Sequence, residues 1–433
     1  MLRIVWVLFL GIVAAVGLYF IPPVHEKLAW RVENLSAQVR DALNPPEKAV
    51  FVPKQSARPA AQIVLPVAPA GATSRPSETP TPAATSLPGE TSTPTIPPTA
   101  TVPLTQIPSK VFLNGIVHEY QGWNNCGPAT LAMALTFWGW KGDQTKTAPV
   151  LKPNSRDKNV MPYEMLDYVT QQTDFKAVLR VGGDLELLKR LIAGGFPVVV
   201  EKGFEVSGEG WMGHYEAVVG YDDGASRFSA EDAYAQKDDN TPLTVPYTDM
   251  LASWRAFNFV YLVIYPADRE PAVLSILGPQ ADEQANYQYA AKKASDEIPA
   301  LTGRDLYFAW YNRGSSLVSL QDYAGAAAAF DQAFTMYPDI PEKKRPWRML
   351  WYQTGPYFAY FNTGRYLDVI NLASTTVGTT SEPALEESFV WRARAEAAAG
   401  NNPAAIDDLH TALNWHPGYT PALDELANLG AAP

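Results

Sequence analysis

The 433-residue sequence contains a single cysteine, Cys126, and only five histidines. One cysteine excludes a framework of internal disulfides and any metal site built from several thiolates. Positive charge is also scarce, because 34 Lys and Arg stand against 45 Asp and Glu and give a net charge of −11. This balance argues against a nucleic-acid partner, since phosphate binding needs clustered basic residues. No cluster of metal ligands and no glycine-rich phosphate loop is evident, so no cofactor is expected. The lone thiol is then a packing residue, an intermolecular link or a reactive group.

The N-terminus is an uninterrupted apolar run from Ile4 to Ile21, which ends at two prolines. At about 1.5 Å per residue, such a run barely spans a bilayer core of roughly 30 Å. It predicts an uncleaved membrane anchor over residues 1–24. A cleaved signal peptide is the alternative, because Ala15-Val16-Gly17 has the small residues of a cleavage site. We therefore expect a chain that is extracytoplasmic and membrane-anchored at the cell surface, or secreted if the N-terminus is cleaved.

Composition divides the rest of the chain into four segments. Residues 25–43 predict a juxtamembrane helix, and residues 44–109, rich in Pro, Thr and Ser, predict a disordered linker. Residues 110–268 alternate helical stretches with short strand-like runs, which indicates an α+β domain. The runs expected to be strands are Val111–Val117, Phe196–Val200, Tyr215–Tyr221 and Phe257–Ile264. The stretches expected to be helices are Pro128–Trp138, Pro162–Gln171, Leu185–Ala193 and Asp249–Trp254.

Residues 275–430 are helical and repetitive. Small residues such as Gly314 and large ones such as Phe330 recur at the offsets of a tetratricopeptide repeat, where they let two helices approach and fill the groove between them. We expect an all-α tetratricopeptide-repeat solenoid that binds a protein partner, with a generic helical bundle as the alternative. The solenoid is expected to fold separately as a docking arm. A buttress packed on the preceding domain is the competing interpretation, because the Tyr- and Trp-rich residues 347–361 would also suit an interdomain interface.

The segment QGWNNCGPAT, residues 121–130, contains the strongest chemical pattern. Pro128 suits the first turn of a helix, so Cys126 is expected at a helix N-terminus. The helix dipole there favours the thiolate, which is the nucleophilic form of cysteine. Gln121 is close enough along the chain to place its side-chain amide near the thiol. With the Cys126 backbone N–H, that amide would form an oxyanion hole.

A thiol nucleophile needs a base, and His214 is the candidate by elimination. His25 belongs to the membrane-proximal segment, His410 and His416 belong to the repeats, and His118 lies only eight residues before the cysteine.

The acid that would orient His214 is predicted from strand pairing. Asp222-Asp223-Gly224 is typical of a three-residue hairpin loop with Gly224 in the left-handed conformation. In that register Val218 faces Phe228 and His214 faces Asp232, which would hold the imidazole as the third member of a triad. Trp123, Trp211 and Met212 flank these residues and are candidates for lining a cleft.

Residues 112–266 resemble the bacteriocin-processing, double-glycine peptidase-like family of the papain-like clan. The resemblance depends on Gln121, on NNCGPAT at 124–130, on GHYEAVVGYDD at 213–223 and on the acid at 232. It implies a papain-like fold, with Cys126 as nucleophile, His214 as base, Asp232 as orienting residue and Gln121 in the oxyanion hole. The sequence departs from the family in having Ala233 where proline often follows the acid. The transporter that accompanies leader-cleaving members is also missing, so the family's substrate is not carried over.

Three functions remain open. The first is extracytoplasmic, thiol-dependent hydrolysis of a peptide or amide bond, with the repeats recruiting the substrate or a protein partner. The second is a catalytically silent papain-like scaffold whose repeats bind protein. The third is an acyl or peptidyl transferase, in which an amine captures the same thioester intermediate.

Overall fold

The computed structural model describes residues 107–433, except 155, 207–209 and 239, together with 51–53 and the isolated residues 17, 19, 20, 35 and 39. Most of the predicted anchor (1–24), of the juxtamembrane helix (25–43) and of the linker (44–109) lies outside the described residues. Within the part of the chain that is described, no helix is long and apolar enough to cross a membrane.

Residues 110–265 are organised around a seven-stranded sheet in which every pairing is antiparallel. Its strands are β1 (Lys110–Phe112), β2 (Lys176–Arg180), β3 (Val198–Val206), β4 (Gly210–Asp222), β5 (Arg227–Glu231), β6 (Leu243–Pro246) and β7 (Tyr261–Tyr265). The order is β2-β7-β3-β4-β5-β6. Strand β1 pairs with the last three residues of β4, on the part of β4 that extends past its pairing with β3. The long strand β4 thus lies at the centre of the sheet.

Helices cover both faces of this sheet, so its central strands are apolar on both sides. Helices α1 (Cys126–Phe137), α2 (Gln144–Leu151) and α3 (Pro162–Gln172) lie on the face of Val199, Ala217 and Leu262. Helices α4 (Leu185–Ala193), α5 (Tyr247–Arg255) and α6 (Glu270–Leu277) lie on the face of Val198, Val218 and Val263. Successive strand residues point to opposite faces, which is why neighbouring positions belong to different cores.

The remainder of the chain is helical, as expected, and is built from antiparallel neighbours. Helix α8 (Gly303–Ser319) pairs with α9 (Tyr323–Met336), and α13 (Glu386–Ala398) pairs with α14 (Asn402–Trp415). A Cβ atom on Gly314 would lie 2.6 Å from the Phe330 ring, so the glycine is what allows α8 and α9 to approach so closely. The helices are α7 (Glu283–Glu297), α8 (Gly303–Ser319), α9 (Tyr323–Met336), α10 (Met349–Tyr352), α11 (Gly355–Asn362), α12 (Tyr366–Val377), α13 (Glu386–Ala398), α14 (Asn402–Trp415) and α15 (Thr420–Asn428).

The helical region packs directly on the sheet domain through aromatic side chains. Trp211 of β4 stacks on Phe257 with ring centroids 5.8 Å apart, and Tyr352 of α10 lies 6.1 Å from the same indole. The backbone N–H of Asn258 donates to Asn312 of α8 at 3.1 Å, so the buried polar groups between the two regions are paired as well. These residues belong to one continuous apolar core, which favours the buttress over the independent docking arm.

The predicted β4–β5 hairpin register is wrong. Val218 pairs with Ala230 rather than with Phe228, and a bulge between Val218 and Gly220 shifts the register again before Asp222 pairs with Arg227. The loop therefore has four residues, and its left-handed residue is Ser226 (φ 50°) rather than Gly224. A bulge adds an unpaired residue that no alternation of apolar side chains reveals.

Other features also differ from the sequence-based expectations. The first strand is limited to Lys110–Phe112, and the chain beyond it continues as a loop toward Cys126. Within the predicted linker, Phe51 is buried and packs against Phe334 and Tyr360, with ring centroids 5.1 Å and 6.1 Å away. A large aromatic side chain gains free energy when it is buried against other rings, and composition alone does not reveal such a contact.

Candidate active site

Cys126 is the first residue of α1, as its position before Pro128 predicts. The chain enters the helix through Asn124, which adopts a left-handed conformation with φ of 53°. Helix α1 is fixed to β4 by a hydrogen bond in which the Thr130 hydroxyl donates to the Tyr215 carbonyl at 3.1 Å. This packing places the thiol beside His214, with which it hydrogen bonds, and next to the backbone of Tyr215.

His214 lies in the middle of β4 and is 3% exposed. Its Nε2 atom is 2.8 Å from Oδ1 of Asp232, so the other ring nitrogen is the one that can face the thiol. Asp232 directly follows β5, and its Oδ1 also accepts hydrogen bonds from the backbone N–H groups of Tyr234 and Ala235, both at 2.8 Å. Asp232, predicted from the sequence, therefore does contact His214. The contact forms after the last paired residues of β4 and β5, Ala217 and Glu231, and not between paired strand positions.

Burial and mutual charge set the protonation of these groups. Burial opposes a charged imidazole, but the Asp232 carboxylate and the Cys126 thiolate together raise the pKa of His214 to about 10. Burial would raise the pKa of the Cys126 thiol, yet the hydrogen bond and charge of His214 hold it below its ordinary value. The pKa of Asp232 lies well below the usual range, because the charge of His214 outweighs the effect of burial. These shifts favour a thiolate–imidazolium pair over the neutral thiol and imidazole.

Comparison with known proteins bears on this arrangement. Residues 105–262 match the model of the Peptidase_C39 like family. Over this peptidase domain the chain is similar to the C39-like peptidases. The chain is thus a cysteine peptidase-like enzyme, with a papain-like α/β domain followed by a mostly helical region.

Two solved structures are similar to this peptidase domain. A C39-like peptidase from Bacillus anthracis is 18% identical, with a TM-score of 0.30, and covers 36% of this chain and 96% of its own. A double glycine motif protease from an AMS/PCAT transporter, in complex with the leader peptide, is 16% identical, with a TM-score of 0.28, and covers 36% of this chain and 95% of its own. The comparison with curated proteins gave no match.

Gln121 approaches the site through its backbone. Its N–H donates to the carbonyl of Ala233 at 2.9 Å, which ties the residue to the turn that follows Asp232. Its side-chain oxygen is buried and has no hydrogen-bond partner among the described residues. The glutamine is thus positioned by the main chain, while its amide group is not committed to another side chain in the described structure.

Gln144 and Lys152 brace the segment that leads to Cys126, and sequence reasoning missed both. The Oε1 atom of Gln144 accepts from the N–H of Gly122 at 2.6 Å and from the Asn125 side chain at 3.1 Å. The ammonium of Lys152 donates to the Asn124 carbonyl at 2.9 Å. Both residues lie on or just after α2, a helix that was not predicted because it is polar and contains Pro149. In the sequence, these two residues appear only as an amide and an amine downstream of the cysteine, with no motif that links them to it.

Aromatic rings and charged groups surround the imidazole. The Phe204 ring lies 5.0 Å and the Tyr234 ring 6.2 Å from His214, which limits access of water to it. On the neighbouring strand β3, Lys202 forms an ion pair with Glu216, and its ammonium is 3.8 Å from Oδ2 of Asp232. The second carboxylate oxygen of Asp232 therefore also faces a positive charge.

The other flanking candidates have different environments. Trp211 is buried between the peptidase domain and the helical region, so it is not part of a cleft. Trp123 lies under the Lys158 ammonium, 5.2 Å from its ring centroid. His118, which the sequence excluded as the base, is buried with its Nδ1 atom 3.3 Å from Oε2 of Glu231.

Proposed function

We propose that the chain hydrolyses peptide or amide bonds outside the cytoplasm through a Cys126–His214–Asp232 triad with Gln121 in the oxyanion hole. The observation that carries the proposal is the contact of the helix-terminal thiol with a histidine whose opposite nitrogen is held 2.8 Å from a carboxylate. A thiol in contact with a base, and a base held by an orienting acid, are what acyl transfer to a thiol requires.

In the first half-reaction the Cys126 thiolate attacks the carbonyl carbon, and the carbonyl π electrons move to oxygen. The negative oxygen is stabilised by the Cys126 backbone N–H at the start of α1 and by the Gln121 amide. When the tetrahedral species collapses, the C–N bond breaks and the His214 imidazolium donates its proton to the departing amine. The products of this step are the free amine and an acyl thioester on Cys126.

In the second half-reaction His214, now neutral, removes a proton from water as the water oxygen attacks the thioester. The carboxylic acid leaves, and the thiolate–imidazolium pair is restored. Asp232 keeps the ring in one orientation throughout, because its carboxylate holds Nε2–H and leaves the other nitrogen for the reacting atoms.

The helical hairpins are, in this proposal, divergent tetratricopeptide repeats that recruit a protein substrate or partner. The close approach of α8 and α9 at Gly314 supports this, because a small residue against a large one is how such a repeat packs. The apolar run Ile4–Ile21 supports a membrane anchor that keeps the domain at the outer surface.

The proposal is tested with the purified chain, a peptide library and a peptidyl electrophile that labels thiols. Turnover and labelling should be lost in Cys126→Ala and fall steeply in His214→Ala, while the exposed-histidine variant His410→Ala retains both. Gln121→Ala should lower kcat by about 10² to 10³-fold, which is the usual effect of losing one oxyanion-hole donor.

Each result separates the possible functions. Equal turnover in the wild type and in Cys126→Ala overturns the thiol mechanism. Labelling of Cys126 without turnover of any library member indicates a silent scaffold. Product that appears only when an amine acceptor is added indicates a transferase, and the same acyl thioester would then be trapped by the amine instead of water.

A further inference from the structure

Away from the catalytic groups, three side chains that are distant in sequence meet where the peptidase domain contacts the far end of the helical region. Asp157 lies in the loop between α2 and α3, Glu386 begins α13, and His416 directly follows α14. One ligand atom from each residue lies within 4.8 Å of the others. The Nδ1 atom of His416 is 2.6 Å from Oε1 of Glu386, which fixes the orientation of the imidazole.

The negative charge of this group is buried and poorly balanced. Asp157 is 7% exposed and Glu386 is 3% exposed. The Asp157 carboxylate accepts one hydrogen bond, from the Asn159 N–H at 3.2 Å, and forms no ion pair with any described residue. A buried carboxylate in this condition is costly unless a cation is supplied.

Further acidic groups add to the imbalance. The carboxyls of Glu164 and Glu387 lie close enough to repel those of Glu386 and Asp157. Lys152 attracts Asp157, but its ammonium donates to the Asn124 carbonyl at 2.9 Å and to Oδ1 of Asn125 at 3.3 Å. The protein thus gathers several carboxylates around one imidazole with no cation in direct contact with Asp157 among the described residues.

We propose that Asp157, Glu386 and His416 form a binding site for one divalent cation of the Zn²⁺ class, which fastens the helical region to the peptidase domain. An imidazole with carboxylates suits Zn²⁺ better than Ca²⁺ or Mg²⁺, which prefer oxygen ligands alone. Ligands at about 2.0–2.2 Å from a tetrahedral Zn²⁺ are roughly 3.4 Å apart, so the observed group needs only small side-chain movements. Water or a neighbouring carboxylate would complete the coordination.

The position of the site gives it a structural effect. The same loop contacts the helical region through the ion pair of Arg156 with Glu382, at 3.1 Å, and through a hydrogen bond from Asn154 to the Trp415 carbonyl. A cation bound by Asp157, Glu386 and His416 would add a third connection. This connection is independent of the proposed catalytic chemistry, because none of its residues contacts the thiol or the imidazole of the active site in the described structure.

The test uses the full chain carrying Cys126→Ala, so that zinc cannot bind at the thiol. The protein is stripped with a chelator, and Zn²⁺ binding is measured by calorimetry and by metal analysis after gel filtration. One Zn²⁺ per chain should bind and raise Tm by roughly 5 °C at saturation. His416→Gln should weaken binding at least about tenfold, whereas His410→Gln, an exposed histidine of α14, should bind like the parent.

Asp157→Asn keeps the proposal falsifiable if the histidine variant does not fold. It removes the uncompensated charge, so its Tm should exceed that of the parent in chelator and fall below it in saturating Zn²⁺. No stoichiometric Zn²⁺ in the parent, or equal affinity in the parent and both site variants, would overturn the site. A Tm response to Ca²⁺ or Mg²⁺ but not to Zn²⁺ would overturn the assignment to a zinc-class cation.

Discussion

Cys126 and His214 change each other's protonation because they share a buried position. Without a neighbouring charge, burial would keep the thiol protonated, and the imidazole would be neutral for the same reason. Their contact, with Asp232 behind the ring, reverses both tendencies, raising the pKa of His214 to about 10 and lowering the pKa of Cys126. The reactive thiolate thus depends on the histidine as much as on the helix N-terminus.

The pH dependence of thiol alkylation should report this pair directly. In the wild type, the rate of labelling by iodoacetamide should rise at a pH below the ordinary thiol pKa, because His214 stays protonated beside the thiolate up to about pH 10. In His214→Ala the hydrogen bond and the charge that contribute most to lowering the thiol pKa are lost, so the rise should move to higher pH. At pH 7 the rate should fall about tenfold for each unit of pKa change. Mass spectrometry of Cys126 measures it, and superimposable profiles in the two proteins would contradict the pairing.

At the level of elements, the contact of His214 with Asp232 depends on the irregular end of the β4–β5 hairpin. The paired ladder stops at Ala217 and Glu231, and the chain then turns so that Asp232 points back to the imidazole. The sequence selected His214 by elimination and Asp232 from a strand register that is wrong, yet the two side chains meet at 2.8 Å. It could not supply the geometry, since the bulge after Val218 depends on tertiary packing rather than on local pattern.

Secondary structure could be predicted where apolar residues recur at a regular spacing, and the prediction failed where they do not. Helix α4 begins and ends at the predicted residues, Leu185–Ala193, because its apolar positions repeat clearly and Asp184 caps it. Helix α2 was missed, and so was β2, which is only five residues long. The bracing of the nucleophile segment by Gln144 and Lys152 was therefore missed with them.

Gly213 on β4 is the point at which the catalytic strand meets the helical region. A Cβ atom there would lie 2.7 Å from the Phe257 ring and 3.0 Å from the Tyr352 ring. Gly213→Ala should therefore lower the free energy of unfolding by about 1–3 kcal/mol, the usual effect of overpacking, and should slow Cys126 alkylation by displacing His214. Urea denaturation and the alkylation rate measure the two effects.

Gly224→Ala is the matched control for that substitution. Gly224 lies in the β4–β5 loop, where a Cβ atom would meet only the Asp222 carboxylate at 3.4 Å. Its effect on unfolding should stay within about 0.5 kcal/mol. A Gly213→Ala protein as stable and as reactive as the control would show that the interface accommodates the methyl group without loss.

At the scale of the whole molecule, the peptidase domain and the helical region share one apolar core. Trp211, Phe257 and Val260 of the first pack with Phe308 and Tyr352 of the second. This interface could not be predicted from the sequence, because aromatic residues at 347–361 suit a peptide groove as well as a domain contact. The same holds for Asp157, Glu386 and His416, because the loop of Asp157 is far in sequence from the other two residues and the three carry no spacing motif.

Removing the helical region should therefore damage the peptidase domain. A chain ending after α6, at Ala281, would keep the core of the sheet domain and expose the apolar side chains of the core shared with the helical region. It should therefore aggregate or lose turnover of small peptides. Solubility after gel filtration and turnover of the best library peptide measure this outcome, with the full chain as the reference. A soluble fragment with full activity on small peptides would instead support a separately folded docking arm.

The shared core also bears on how such a gene can change. Domains joined by flexible linkers can be exchanged between proteins, because each keeps a surface that tolerates water. Here the Tyr352 and Phe257 rings leave no room for a Cβ atom at Gly213, and Trp211 is only 2% exposed. A recombination event that replaced the helical region would leave the catalytic strand facing an unmatched surface. The two regions are therefore expected to be inherited, and to be engineered successfully, only as a pair.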